Sequence, residues 1–226
     1  MLALKLGMSL VSSNRVGGWS PDDESSLEAW YQNAVGINID EVTSGVSAWE
    51  DSSGNAKDMV QATESEQPAY TDGVLTFDPA DVQNLQTTGQ ITLTEQFVIG
   101  FRAKPTATNV VILADNTTSN EFIKYSTDSR IIIKIGGSQK SLDLDSGTFG
   151  DDYIVISRDG SDDITLYHNG TPQSATKTLA GSCLIDAIGV RSPDLNPFDG
   201  DVEEVQIYST SNATLIANVN ARLASI

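Results

Sequence analysis

The sequence predicts an all-β sandwich of antiparallel sheets, on three observations. Runs of three to seven residues rich in Val, Ile, Phe and Tyr recur from Val74 to Tyr208, each bounded by Gly, Pro, Asn or Asp, which is the signature of short strands joined by turns. Within residues 151–172, DDYIVISRDGSDDITLYHNGTP, two alternating runs are punctuated by Asp159-Gly160 and Asn169-Gly170. Both dipeptides suit tight hairpin turns whose central residues have positive φ. Finally, no helical pattern separates the runs, so the crossovers that a parallel α/β sheet needs are missing.

Residues 1–18 form an arm, closed by the junction Val16-Gly17-Gly18-Trp19-Ser20-Pro21. In it Leu2, Leu4, Leu6, Met8 and Leu10 alternate, which gives one apolar face if the arm is extended. Such a strand either pairs with a neighbour's sheet edge or is the first strand of this domain's own sheet. Pro21 to Tyr31 reads as a short helix, with Ser20 as N-cap, Pro21 at the first position and acids in the first turn. Strands are expected at Val74–Phe77, Phe97–Ala103, Val110–Ala114, Phe122–Tyr125, Ile131–Ile135, Leu142–Leu144, Tyr153–Ser157, Ile164–Tyr167, Leu184–Val190 and Val202–Tyr208. In the last of these the alternation of Val202, Val205 and Ile207 slips at Glu203-Glu204, the pattern of a β-bulge. Residues 212–225 place Leu215, Ile216, Val219 and Leu223 at helical spacing, so the chain ends in an amphipathic helix.

The chain has 226 residues, enough for one large core, and its 13 Lys and Arg against 31 Asp and Glu give a net charge of −18. That field repels phosphate backbones and anionic lipid surfaces, so neither nucleic acid nor membrane is an expected partner. Cys183 is the only cysteine and adjoins Leu184-Ile185. A buried, inert thiol fits better than a nucleophile paired with the only histidine, His168, which sits at a turn. The N-terminus lacks a basic leader before an apolar block, and no stretch approaches a membrane span, which predicts synthesis in a reducing cytosol without signal-directed export.

Four stretches in fixed order resemble the concanavalin A-like lectin/glucanase superfamily, and within it the laminin-G-like domains. They are WSPDDESSLEAWYQN at 19–33, VSAWEDSSGNAKDMVQATESEQPAYTDGVLTFDP at 46–79, the hairpin residues Ile156, Arg158, Asp159, Gly160, Leu166, Tyr167, Asn169 and Gly170, and PFDGDVEEVQIYS at 197–209. The resemblance spans residues 19–226 and implies a jelly-roll sandwich of two antiparallel sheets with short N-terminal and C-terminal helices. Trp49, Tyr70, Phe77, Tyr167 and Phe198 are then expected in the core.

Catalysis on this fold would need two carboxylates flanking a glycosidic bond. The Glu-x-Asp-x-x-Glu strand of the related glucanases is absent, and the nearest approach is Asp201-x-Glu203-Glu204. No enzyme is expected, with a divergent glycoside hydrolase as the last alternative. Relatives often hold one Ca²⁺ at the rim, and oxygen ligands are present in loops at Asp143 and Asp145 of LDLDSG, at Asp115 and Asn116 of ADNTTSN, and at Asp159, Asp162 and Asp163. None has the spacing of a self-contained calcium loop, and turn formation accounts for each. Trp19, Trp30, Tyr31, Phe149 and Tyr125 are the aromatics available to a sugar face, although core positions would absorb them equally well. The arm, the acidity and the lone cysteine together resemble tailed-phage virion proteins. The expectation is a non-enzymatic virion component assembled in the host cytoplasm, a capsid decoration or fibre-like protein. Its arm would dock on other virion proteins and its lectin-like surface would hold glycans, and homo-oligomers are compatible with this. The alternative is a calcium-dependent carbohydrate-binding or adhesion module of a bacterial surface protein.

Overall fold

Antiparallel pairing organises the described residues. The computed structural model describes residues 18–117 and 121–226; the alternating arm residues Leu2, Leu4, Leu6, Met8 and Leu10 lie outside them. In chain order the strands are β1 (Leu27–Tyr31), β2 (Ile37–Ile39), β3 (Val46–Trp49), β4 (Met59–Val60), β5 (Ala69–Thr71), β6 (Val74–Phe77), β7 (Leu85–Leu93), β8 (Phe97–Pro105) and β9 (Val110–Ala114). They continue as β10 (Phe122–Thr127), β11 (Arg130–Ile135), β12 (Ser138–Asp143), β13 (Asp152–Arg158), β14 (Asp163–His168), β15 (Thr171–Pro172), β16 (Lys177–Thr178), β17 (Cys183–Ile188) and β18 (Gly200–Tyr208), before helix α1 (Ala213–Leu223). One sheet runs β15-β14-β13-β8-β18-β6-β5, with β1 added to β18 and β16 to β14; the other runs β12-β11-β10-β9-β17-β7-β4-β3-β2. This is the predicted jelly-roll sandwich.

The inward faces of the two sheets share one core, in which Trp49, Phe77, Phe97, Phe101, Tyr125 and Phe198 meet the aliphatic side chains of β9, β11 and β13. The outer face of the first sheet is covered by α1, whose Leu215, Val219 and Leu223 pack on Val98, Val155 and Tyr208. Each such buried side chain contributes roughly 1.5–3 kcal/mol. The close approach depends on Gly100 of β8, where a Cβ would lie 2.5 Å from Val219 Cγ1. Asn212 caps the helix by accepting a hydrogen bond from Leu215 N at 2.9 Å.

The helix expected over 21–31 is a single 3₁₀ turn, Pro21–Asp23, and Leu27–Tyr31 is a strand. The capping signals are used, since Ser20 N donates to Asp23 Oδ2 at 2.9 Å. Pairing of Ala29 with Ile207 and Tyr31 with Val205 then overrides local helix preference, because both residues gain core contacts. The bulge is where the sequence puts it, between Val202 and Glu204 against β8. Asn169 and Gly170 adopt φ of 48° and 77°, as the hairpin turn requires. The Asp159-Gly160 turn differs: the left-handed residue is Asp162 (φ 63°), and the Asp159 carboxylate accepts from Ser161 N and Asp163 N to close a longer loop. Among the described residues no helix is long and apolar enough to cross a membrane.

Candidate functional site

Alternation along β13 and β14 sends Ile154, Ile156, Ile164 and Leu166 into the core and leaves Ser157, Thr165 and Tyr167 on the outer face. α1 lies across that face, packed chiefly on β8 and β13. Its flank and the uncovered strand β14 therefore enclose a groove of about 650 Å³. Ser157, Thr165 and Tyr167 form the floor, Ile216, Ala217 and Asn220 of the helix form one wall, and Asp159 and Asp163 stand at one end.

The polar groups of this groove are only partly used by the protein. Among the described residues the hydroxyls of Ser157, Thr165 and Tyr167 have no hydrogen-bond partner. Asn220 donates through Nδ2 to Ile216 O at 2.8 Å, while its buried Oδ1 has no partner. Asp163 Oδ1 accepts from Thr178 Oγ1 at 2.6 Å, and Asp159 Oδ1 takes the two turn N–H groups, leaving the second oxygen of each carboxylate without a protein donor. An aromatic ring, hydroxyls, an amide and two carboxylates thus converge on a rigid concave surface, which suits a hydroxyl-rich ligand that offers an apolar face to the ring.

Tyr167 is the residue the sequence reading misplaced. It was expected in the core, but it is half-buried against the α1 cluster and faces the groove. Conversely, three of the aromatics available for a sugar, Trp30, Tyr31 and Tyr125, are buried. Trp19 donates to Glu24, and Phe149 stacks edge-on with Tyr125 and His168 at the end of the sandwich. His168 Nε2 is 3.0 Å from Asp152 Oδ2, on a different sheet from Cys183. Burial pushes the Cys183 thiol up to about 12, so it is inert at neutral pH.

Of the acidic residues singled out from the sequence, Asp159 and Asp163 meet in the groove, while Asp143, Asp145 and Asp115 are held separately. Asp143 pairs with Arg130 across β11 and β12 at 2.6 Å, and Asp145 accepts from Ser174 N and Oγ. Asp115 accepts from Gln90 Nε2 and from Thr117, and the neighbouring Asp186 accepts from Asn116 N and Thr117 Oγ1. Burial, with Asp115 beside it, raises the Asp186 carboxyl above the usual range. N–H and O–H donors take Asp115 Oδ1 and both Asp186 oxygens, whereas the buried Asn116 Oδ1 beside them has no hydrogen-bond partner. Among the described residues no group of three or more His, Cys, Asp or Glu side chains could hold a metal ion.

The carboxylates nearest to a glycosidase pattern are occupied by the fold. Glu204 is fully buried and accepts from Trp30 Nε1, Asn33 N, Gln206 Nε2 and both Nε and Nη2 of Arg222, the last at 2.7 Å. Glu203 pairs with Arg102 at 3.2 Å, and Asp201 accepts from Thr76. Arg158, from the motif at the first hairpin turn, is likewise structural. It is buried beneath β13, donating to the carbonyls of Glu95 and Gly181 and lying over the Phe97 ring.

No protein-family model matches the sequence, and the search of curated proteins finds no match. Among solved structures, the chain is similar to domain 4 of AbnA, an extracellular GH43 arabinanase from Geobacillus stearothermophilus solved in complex with arabinotriose. That likeness has a TM-score of 0.53 at 16% identity and covers 86% of this chain and 98% of that one. The likeness is one of fold, a sandwich of two antiparallel sheets. Two further likenesses run to larger proteins. One is the Trypanosoma rangeli sialidase in complex with sialic acid, with a TM-score of 0.57, 12% identity and 89% of this chain covered; the chain spans 33% of the sialidase. The other is the binding domain of Paraclostridial Mosquitocidal Protein 1, with a TM-score of 0.56, 12% identity and 91% covered; here the chain spans 53% of that domain. At such identities the likeness is one of fold.

Proposed function

We propose that this protein is a non-enzymatic, lectin-like module that binds a saccharide in the groove between α1 and β14. The observation that carries the reading is the groove itself, where the Tyr167 ring lies among the hydroxyls of Ser157 and Thr165, the Asn220 amide and two carboxylates. A domain of the same fold solved in complex with arabinotriose supports the ligand class. The non-catalytic reading is supported by Glu203 and Glu204, which are tied into β18 by ion pairs and hydrogen bonds.

Titration calorimetry against neutral, acidic and amine-bearing oligosaccharides tests this. Thr165→Val and Tyr167→Ala are each expected to weaken binding at least tenfold, about 1.4 kcal/mol, with the thermal midpoint of Thr165→Val unchanged. Silence across the panel, or variants that bind like the native protein, would contradict it.

The finer part of the proposal is the setting, a tailed-phage virion on which the arm of residues 1–18 docks the module. It is supported by the alternation of Leu2, Leu4, Leu6, Met8 and Leu10, which suits strand addition at a partner's sheet edge. Full-length protein is expected to attach to purified virions, as read by light scattering, and a chain lacking residues 1–18 is expected not to. Equal behaviour of the two removes the arm from the account.

A further inference from the structure

We infer that the α1 groove selects a saccharide bearing a free amine, a 2-amino-2-deoxy sugar, over neutral sugars and rejects acidic ones. This rests on the saccharide-binding reading above and names its ligand class. The charged residues lining the groove are Asp159 and Asp163, and neither Lys nor Arg joins them. A second hollow of about 430 Å³ continues from it, shares Asp159 and adds Glu95 and Asp162. A ligand lying along both hollows therefore passes successive carboxylates.

The nearby cations are held elsewhere. Arg158 is fully buried on the inner side of β13, where carbonyl oxygens and the Phe97 ring surround it; its Nε lies 3.8 Å from Asp162. Lys177 pairs in register with the inward-facing Ile164, which places it on the opposite face from Asp163 and Thr165. The two groove carboxylates are also pre-positioned. Asp159 is fixed by its turn N–H groups and Asp163 by Thr178, so each presents its remaining oxygen without reorganisation. An ammonium group placed there makes charge-assisted hydrogen bonds, about twice as strong as those a neutral hydroxyl makes. A uronate or sialate carboxylate in the same place meets like charge. The ring and hydroxyls of Tyr167, Thr165 and Ser157 receive the sugar body in every case, so charge sets the preference and the groove sets the class.

The test uses the full chain with four probes of matched length: a fully deacetylated chitosan tetrasaccharide, its N-acetylated counterpart, tetragalacturonate, and a linear diamine without sugar rings. At a pH where the sugar amine is protonated, the chitosan oligomer is expected to bind at least tenfold more tightly than its N-acetylated form, with tetragalacturonate not binding. Asp163→Asn and Asp159→Asn keep the acceptor oxygens that hold Thr178 and the turn, and are expected to bring the first two probes to parity. If neutral and amine-bearing probes bind equally, and Thr165→Val weakens both, the charge inference fails while the saccharide reading stands. If the diamine binds as well as the oligomer, the site recognises charge alone and the inference fails. If no probe binds, both readings fail together.

Discussion

A buried carboxylate needs a donor for each of its lone pairs, and Glu204 shows how far this chain goes to supply them. Indole, amide and guanidinium groups from β1, β18 and α1 converge on it, and Tyr208 extends the network by donating to Gln206 at 2.7 Å. In sequence the residue was half legible. The slip in alternation at Glu203-Glu204 marked the bulge, but the burial of Glu204 beneath α1 involves Arg222, eighteen residues away in a different element. Tyr167 was misplaced for a related reason. It alternates with the core residues Ile164 and Leu166, and strand periodicity says only that it faces the other side. Whether that side is bare or covered is decided by how far α1 reaches. The turn residues, by contrast, were legible wherever local chemistry suffices: Asn169-Gly170 adopts the positive φ its sequence predicts, whereas at Asp159 the side-chain hydrogen bonds select a longer loop.

At the scale of elements, α1 forms one wall of the groove, and its attachment is both apolar and ionic. Leu215, Val219 and Leu223 bury one face, and Arg222 pins the last turn to Glu204 while lying 5.7 Å from the centre of the Trp30 ring. Removing the guanidinium leaves a buried, unpaired charge, which costs about 3–5 kcal/mol. Arg222→Met is therefore expected to lower the unfolding free energy read from urea denaturation by an amount of that order, with a lower midpoint, and adding Glu204→Gln is expected to recover part of the loss. A midpoint that does not move would show that apolar packing alone holds the helix. The helix itself was legible from its 3.6-residue period, as were the strands with strong alternation. β1 was not, because its capping signals are genuine but end after Asp23, and its pairing partner lies in the last strand of the chain. The short strands β2, β4, β15 and β16 contribute two or three residues each, too few for a period to register.

For the whole molecule, the net charge of −18 is distributed so that the outer face of the first sheet carries an acidic groove, while the sandwich core keeps that face rigid. Fold class followed from the sequence because a sandwich is specified many times over by turns and alternation. The proposed site did not, because its groove is the gap between two elements, and no single segment encodes a gap. The central claim, that this gap is the binding site, is tested most directly by a crystal structure of the protein soaked with the oligosaccharide that titrates most tightly. The account predicts a sugar ring against Tyr167, with hydroxyls in reach of Thr165 and Ser157 and its amine between Asp159 and Asp163. A sugar bound instead on the outer face of the second sheet, or against Phe149 at the end of the sandwich, would contradict it.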